Sequence, residues 1–141
     1  MNVVLTFKVT LLYGRYASDK WEGVFEVDSK SLLEDIHVFM QQTLNFDNDH
    51  LYEFYVARTE RSRDRISFDD ENGGPYDTRI ANLYPLPDKK QLYYLFDYGD
   101  NWLFKITRTR KAAQESGADV KYPRLVGESG VRPEQYSYDE D

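Results

Sequence analysis

Two histidines and a pair of aspartates set the chemistry open to this chain: His37, His50, Asp97 and Asp100. The aspartates bracket Tyr98 and Gly99 in the run YYLFDYGDNWLFKI, residues 93–106. Carboxylates this close can hold a hard cation through oxygen ligands or divide the roles of acid and base. Imidazole titrates near neutral pH and ligates metals. Gathered in space, two imidazoles and two carboxylates would form a divalent-metal site, the centre of a metal-dependent hydrolytic enzyme. None of the spacings is a local ligand motif, and each residue has a plainer use. Asp accepts backbone hydrogen bonds at the start of a four-residue hairpin connection, and Gly99 would supply the positive φ that other residues resist. His37 falls within the apolar face of a helical segment, where a histidine is commonly buried with a hydrogen-bond partner.

A second chemistry is suggested by Arg58, Arg61, Arg63 and Arg65, the one arginine-dense stretch. Four guanidinium groups on a hairpin tip could grip phosphates. Glu60 and Asp64 are interleaved with them, which favours a solvated turn with local ion pairs. The whole chain carries 18 Lys+Arg against 25 Asp+Glu, a formal charge of −7, which argues against a nucleic-acid partner and against an anionic membrane. The reading that remains is a non-enzymatic domain that binds a protein partner. Its binding residues are expected at the loop edge carrying Asp97, Tyr98 and Asp100 and along the segment with Tyr122 and Arg124, because a rigid ring with a polar tip buries much area at low entropy cost. No cofactor is expected; a divalent metal belongs only to the enzyme alternative.

These groups must be positioned by elements the sequence spells out. In Val3–Tyr13 the odd positions are apolar and alternate with Thr6, Lys8 and Thr10, the period of a half-buried strand. Trp21, Phe25 and Val27 alternate with glutamates and complete a hairpin. Ser31 and Glu34 have capping-box spacing, and Leu33, Ile36, Met40 and Leu44 then lie on one helical face. Ring-rich strands are expected over residues 50–59, 65–68, 91–96 and 101–109. A short helix is expected from Asp77 or Thr78 to Tyr84, stopped by Pro85, and another, weakened by Gly117, over Lys111–Val120.

Zero cysteines exclude a disulfide framework, thiolate metal sites and a cysteine nucleophile. Thr6, Lys8 and Thr10 break the first apolar run, which therefore lacks the character of a signal peptide, and no stretch reaches the ~18 apolar residues of a membrane helix. A cytoplasmic location is expected.

Three blocks, LEDIHVFMQQTLNFDNDHLYEF, YYLFDYGDNWLFKI and YPRLVGESGVRPEQ, resemble in order and spacing the plasmid pRiA4b ORF-three-like family of bacterial and archaeal proteins. Some members of that family carry the label of mobile-element passenger or resolvase-like protein. The usual form of the middle block is Tyr-Asp-Phe-Gly-Asp-Asp-Trp with a histidine two residues after the tryptophan. Here Phe96, Asp97, Tyr98, Gly99, Asp100, Asn101 and Trp102 match it, and Phe104 takes the place of the histidine, removing one imidazole from any metal or acid–base reading. The resemblance implies an α+β domain with a mainly antiparallel sheet and implies no activity. Together with the periodicity it predicts one α+β domain over residues 1–126, about five to six strands packed by two or three helices, and an irregular acidic segment over 127–141. The resolvase label finds no residues of its own, since Ser31 reads as a helix cap and no helix-turn-helix tail follows.

Overall fold

The computed structural model describes residues 3–17 and 19–136. The alternating start folds as β1 (Val3–Tyr13), which pairs antiparallel with β2 (Trp21–Asp28) so that Phe7 faces Phe25 and Val9 faces Gly23. After the helix α1 (Leu33–Leu44) come β3 (Tyr52–Ala57), β4 (Ile66–Asp69), β5 (Gln91–Phe96), β6 (Trp102–Arg108), β7 (Gln114–Glu115) and β8 (Arg124–Gly130). They form one antiparallel sheet in the order β4-β3-β5-β6-β1-β2-β8, with β7 paired to the start of β1.

The expected α+β domain with two or three helices is not what forms. Among the described residues there are eight strands and one α-helix, so the fold is mostly antiparallel β. Residues 78–84 are too short before Pro85 to propagate an α-helix, and yield only the 3-10 turn Ile80–Leu83. Lys111–Val120 has no apolar stripe to bury; Gln114 and Glu115 instead extend along Val4 and Val3. The segment expected to be irregular from residue 127 begins inside β8, where Leu125 pairs with Phe25 and Gly127 with Val24. The part of that segment from 137 onward lies outside the described residues.

Cross-strand parity gives the sheet two unlike faces. One carries Phe7, Phe25, Phe54, Tyr94, Phe96, Trp102 and Phe104, all buried and packed with Leu33, Ile36 and Met40 of α1. Each such side chain contributes about 1.5–3 kcal/mol of apolar burial. Helix α1 starts one residue later than the capping-box spacing suggests: Leu32 N–H donates to Asp35 Oδ2 at 2.8 Å, while the Ser31 hydroxyl turns to Asp28. The Tyr52 hydroxyl donates to the Glu34 carboxylate and ties the helix to β3.

The sheet's β4 border is closed by one side chain. Asn72 donates from Nδ2 to Ser67 O at 2.9 Å and accepts at Oδ1 from the N–H groups of Asp69 and Gly74 at 3.1 and 2.8 Å. Asp69 O accepts from Gly73 N–H. Ser67 O and the N–H and C=O of Asp69, outward groups of this edge strand, are thus occupied within the chain, which blunts it as a template for another strand.

Candidate functional site

The β5–β6 connection is built by its aspartate. Asp97 takes φ 63°, and its Oδ1 accepts from Gly99 N–H at 3.0 Å and Asp100 N–H at 3.3 Å. The left-handed positions are Asp97 and Asn101, not Gly99, so the glycine is not the conformational hinge its place suggested. Asn and Asp visit this region more readily than other side chains because they can bond their own backbone there. The Asp97 side chain is buried, and Asp100 faces Arg15 at 3.5 Å.

His50 does reach this turn. Its Nε2 lies 3.4 Å from Asp97 Oδ2, 3.5 Å from Asp49 Oδ1 and 3.1 Å from the Tyr136 hydroxyl. Tyr136 donates to Asp49 Oδ2 at 3.0 Å, so His50 Nε2–H is the donor toward the tyrosine oxygen. Gln135, buried, completes the cluster: its Oε1 accepts from Asp47 N–H at 2.6 Å and its Nε2 donates to Asp49. The chain's final described residues therefore fasten onto the loop that opens β3.

His37 is engaged elsewhere. Its Nδ1 bonds the Tyr94 hydroxyl and its Nε2 bonds Asn48 Oδ1, both at 2.6 Å. Tyr94 also accepts from Gln41 Nε2 at 3.0 Å. An acceptor at Asn48 and a hydroxyl at Tyr94 assign the neutral Nε2–H tautomer. Burial lowers the His37 pKa below its usual 6.5, outweighing the opposing pull of Asn48 and Glu34. Of the four side chains that could have shared a metal, His50 and Asp97 meet, Asp100 is turned to Arg15, and both ring nitrogens of His37 are occupied. Among the described residues no group of three or more His, Asp or Glu is arranged to hold a metal ion.

The binding residues expected from sequence separate. Tyr98 is exposed beside β3, whereas Tyr122 and Arg124 lie at the opposite border of the sheet, Arg124 paired with Glu26 at 2.7 Å and the Tyr122 hydroxyl accepting from Gly117 N–H at 3.2 Å. The arginines also divide. The Arg65 guanidinium lies 3.8 Å over the Tyr55 ring, donates from Nε to Ser62 O at 2.7 Å and approaches Glu53 at 3.8 Å. It folds the hairpin back onto the sheet as a structural clasp. Arg58, Arg61 and Arg63 are exposed and make no ion pair among the described residues.

What the sequence did not bring forward is the second face of the sheet. Pairing register puts Tyr13, Leu103, Leu95, Glu53 and Asp69 in one lateral row across five strands, with Lys105, Tyr93, Tyr55 and Ser67 in the next. Among the described residues no helix covers this face, although Tyr55 and Tyr93 at its centre are buried and Arg65 lies over Tyr55. It exposes Leu12 (40%), Tyr13 (55%), Leu51 (59%) and Tyr98 (46%). Two open clefts lie on it. One, about 490 Å³, has Tyr55, Leu95 and Leu103 with Tyr13 on one side and Glu60, Arg61 and Arg65 on the other. The second, about 540 Å³, joins Leu51 and Tyr98 to Glu53, Asp69, Asp70 and Glu71. Burial first, then Glu53, Asp69 and Asp70, push the Tyr98 phenol up to about 12. The odd-numbered Tyr55, Tyr93, Leu95 and Leu103 were the available signal, obscured because the even-numbered residues of those strands, Arg108 aside, are apolar or aromatic too.

Comparison with known proteins agrees with this geometry without adding an activity. The chain is 36% identical over 110 residues to the uncharacterised protein y4hQ of Sinorhizobium fredii, a match covering 72% of this chain and 50% of that protein. The chain thus spans about half the length of the curated relative it matches. The crystal structure of a protein of unknown function, MM3350, from Methanosarcina mazei Go1 superposes with a TM-score of 0.69 at 19% identity, covering 91% of this chain and 70% of that one, and so shares the fold. No helix of the described residues is long and apolar enough to cross a membrane. The profile of the plasmid pRiA4b ORF-3-like proteins matches residues 4–136, nearly the whole chain, and the chain belongs to that family.

Proposed function

We propose that this chain is a non-enzymatic binding domain whose working surface is the helix-free face of its sheet, at the clefts beside the Arg65 hairpin. The observation that carries the reading is the concentration there of exposed Leu12, Tyr13, Leu51 and Tyr98 beside two charged clefts. Large apolar side chains grouped on one face and rimmed by charge are the composition of a protein–protein contact. The Asp97 turn supports this surface by holding Tyr98 outward, while Asp97 itself is consumed in turn and His50 contacts.

The test is a photo-crosslinking amino acid placed at Tyr98, with Val126, exposed on β8 at the opposite border of the sheet, as the control position. A discrete adduct in cells from position 98, reduced by Leu51→Glu and absent from position 126, is the expected result. Equal adducts from both positions, or none from 98, would refute the reading.

A further inference from the structure

We propose that the partner of this face is a second copy of the same chain, docked about a two-fold axis that places the arginine side of each face on the acidic cleft of the other. The proposal rests on the reading above and names the partner.

Three features of the face point to self-recognition. Its charge is unevenly divided: Arg61 and Arg65 outnumber Glu60 at the cleft over Leu95 and Leu103, while Glu53, Asp69, Asp70 and Glu71 gather around Leu51 and Tyr98. These opposite patches lie on one face and are not paired with each other except for the single Glu53–Arg65 contact, at 3.8 Å. Arg61 and Glu71 are exposed, with no hydrogen bond or ion pair of their side chains among the described residues.

A two-fold axis lying in the plane of the face, between the clefts, exchanges the two patches. Every arginine-to-acid contact then occurs twice, as an isologous interface requires. Tyr13 and Leu12 flank one cleft and Leu51 and Tyr98 the other, so the same operation apposes apolar side chains as well as charges. Five strands spaced ~4.8 Å apart make the face roughly 20 Å wide; Tyr55 and Tyr93 at its centre are buried, so the contact falls on the two clefts and their exposed rims. For a chain of net charge −7, two copies repel at long range unless positive groups are aimed at negative ones. The Arg65 clasp helps do this by holding the arginine hairpin over the sheet.

Charge exchange tests it on the whole chain, with mass measured by light scattering after size exclusion. The unaltered chain is expected to dimerise in the micromolar range and to loosen as salt rises. Arg61→Glu alone and Glu71→Arg alone should each shift the equilibrium at least tenfold toward monomer. Mixing the two variants should restore a heterodimer, because each then offers the other an opposite charge at both contacts. Both positions are exposed, so unfolding is not an expected cause of loss, and circular dichroism of each variant checks that. A wild type that stays monomeric, single variants that dimerise unchanged, or a mixture that stays monomeric would each overturn the proposal. A monomer whose Tyr98 adduct is still lost with Leu51→Glu would overturn the second copy as partner and leave the binding face standing. A dimer insensitive to Leu51→Glu and to both charge changes would overturn both.

Discussion

The imidazole of His37 lies flat on the phenol ring of Tyr52, with centroids 3.6 Å apart and planes 6° apart, inside the network of Tyr94, Gln41 and Asn48. A ring so enclosed is a neutral structural partner. Its lowered pKa means that the unfolded chain takes up the proton more readily than the folded one. Stability contributed by neutral His37 is therefore complete above its unfolded value, near 6.5, and is lost as pH falls below it, levelling off beneath the folded value. Urea titrations between about pH 5 and 8 should show this slope in the wild type and a flatter one in His37→Gln, which cannot protonate.

Gly14 lies under the Trp102 indole. A Cβ built on it would stand 2.2 Å from Trp102 Cε3, and that ring is fully buried against Phe46 at 5.1 Å between centroids. Gly14→Ala should cost about 1–3 kcal/mol through overpacking. The same change in a Trp102→Leu background should cost less, because the obstructing ring is gone, and a double-mutant cycle reads the difference.

Asn72 closes the β4 border with three hydrogen bonds to backbone. Asn72→Ala should lower stability by about 1–2 kcal/mol and raise hydrogen exchange at Asp69 and Gly74, the two N–H groups released. Unchanged exchange at both amides would show that the cap is dispensable.

Arg65 clasps its hairpin by lying over Tyr55 and donating to Ser62 O. Arg65→Lys keeps the charge but loses the planar fork and its stacking. Exchange across residues 58–65 should quicken and stability should drop by about 1 kcal/mol, whereas Arg58→Ala and Arg63→Ala, both exposed, should stay within about 0.5 kcal/mol of wild type.

Period-two alternation made β1 and β2 legible, because their core residues recur at every second position, and the density of rings made β5 and β6 legible as strands without showing which face is which. The helix α1 was equally plain from Leu33, Ile36, Met40 and Leu44. The expected further helices failed where local propensity had no apolar stripe to anchor it, at Gln114–Glu115, or too few residues before a proline, at Ile80–Leu83. The candidate site was half readable. Asp97 as a turn former follows from its own spacing to Gly99 and Asp100, but its meeting with His50, and His50's with Tyr136, joins positions 86 residues apart in the second case. Pairing register creates the row from Tyr13 to Asp69, and no single strand contains that information.

The Asn72 closure also limits how this sheet can grow. A fibre built by laying sheets border to border needs an adhesive margin at both sides of every subunit. With most of the β4 margin held by its own loop, a junction formed at the far margin finds only a poor second one to continue from, which disfavours border-to-border addition beyond a pair.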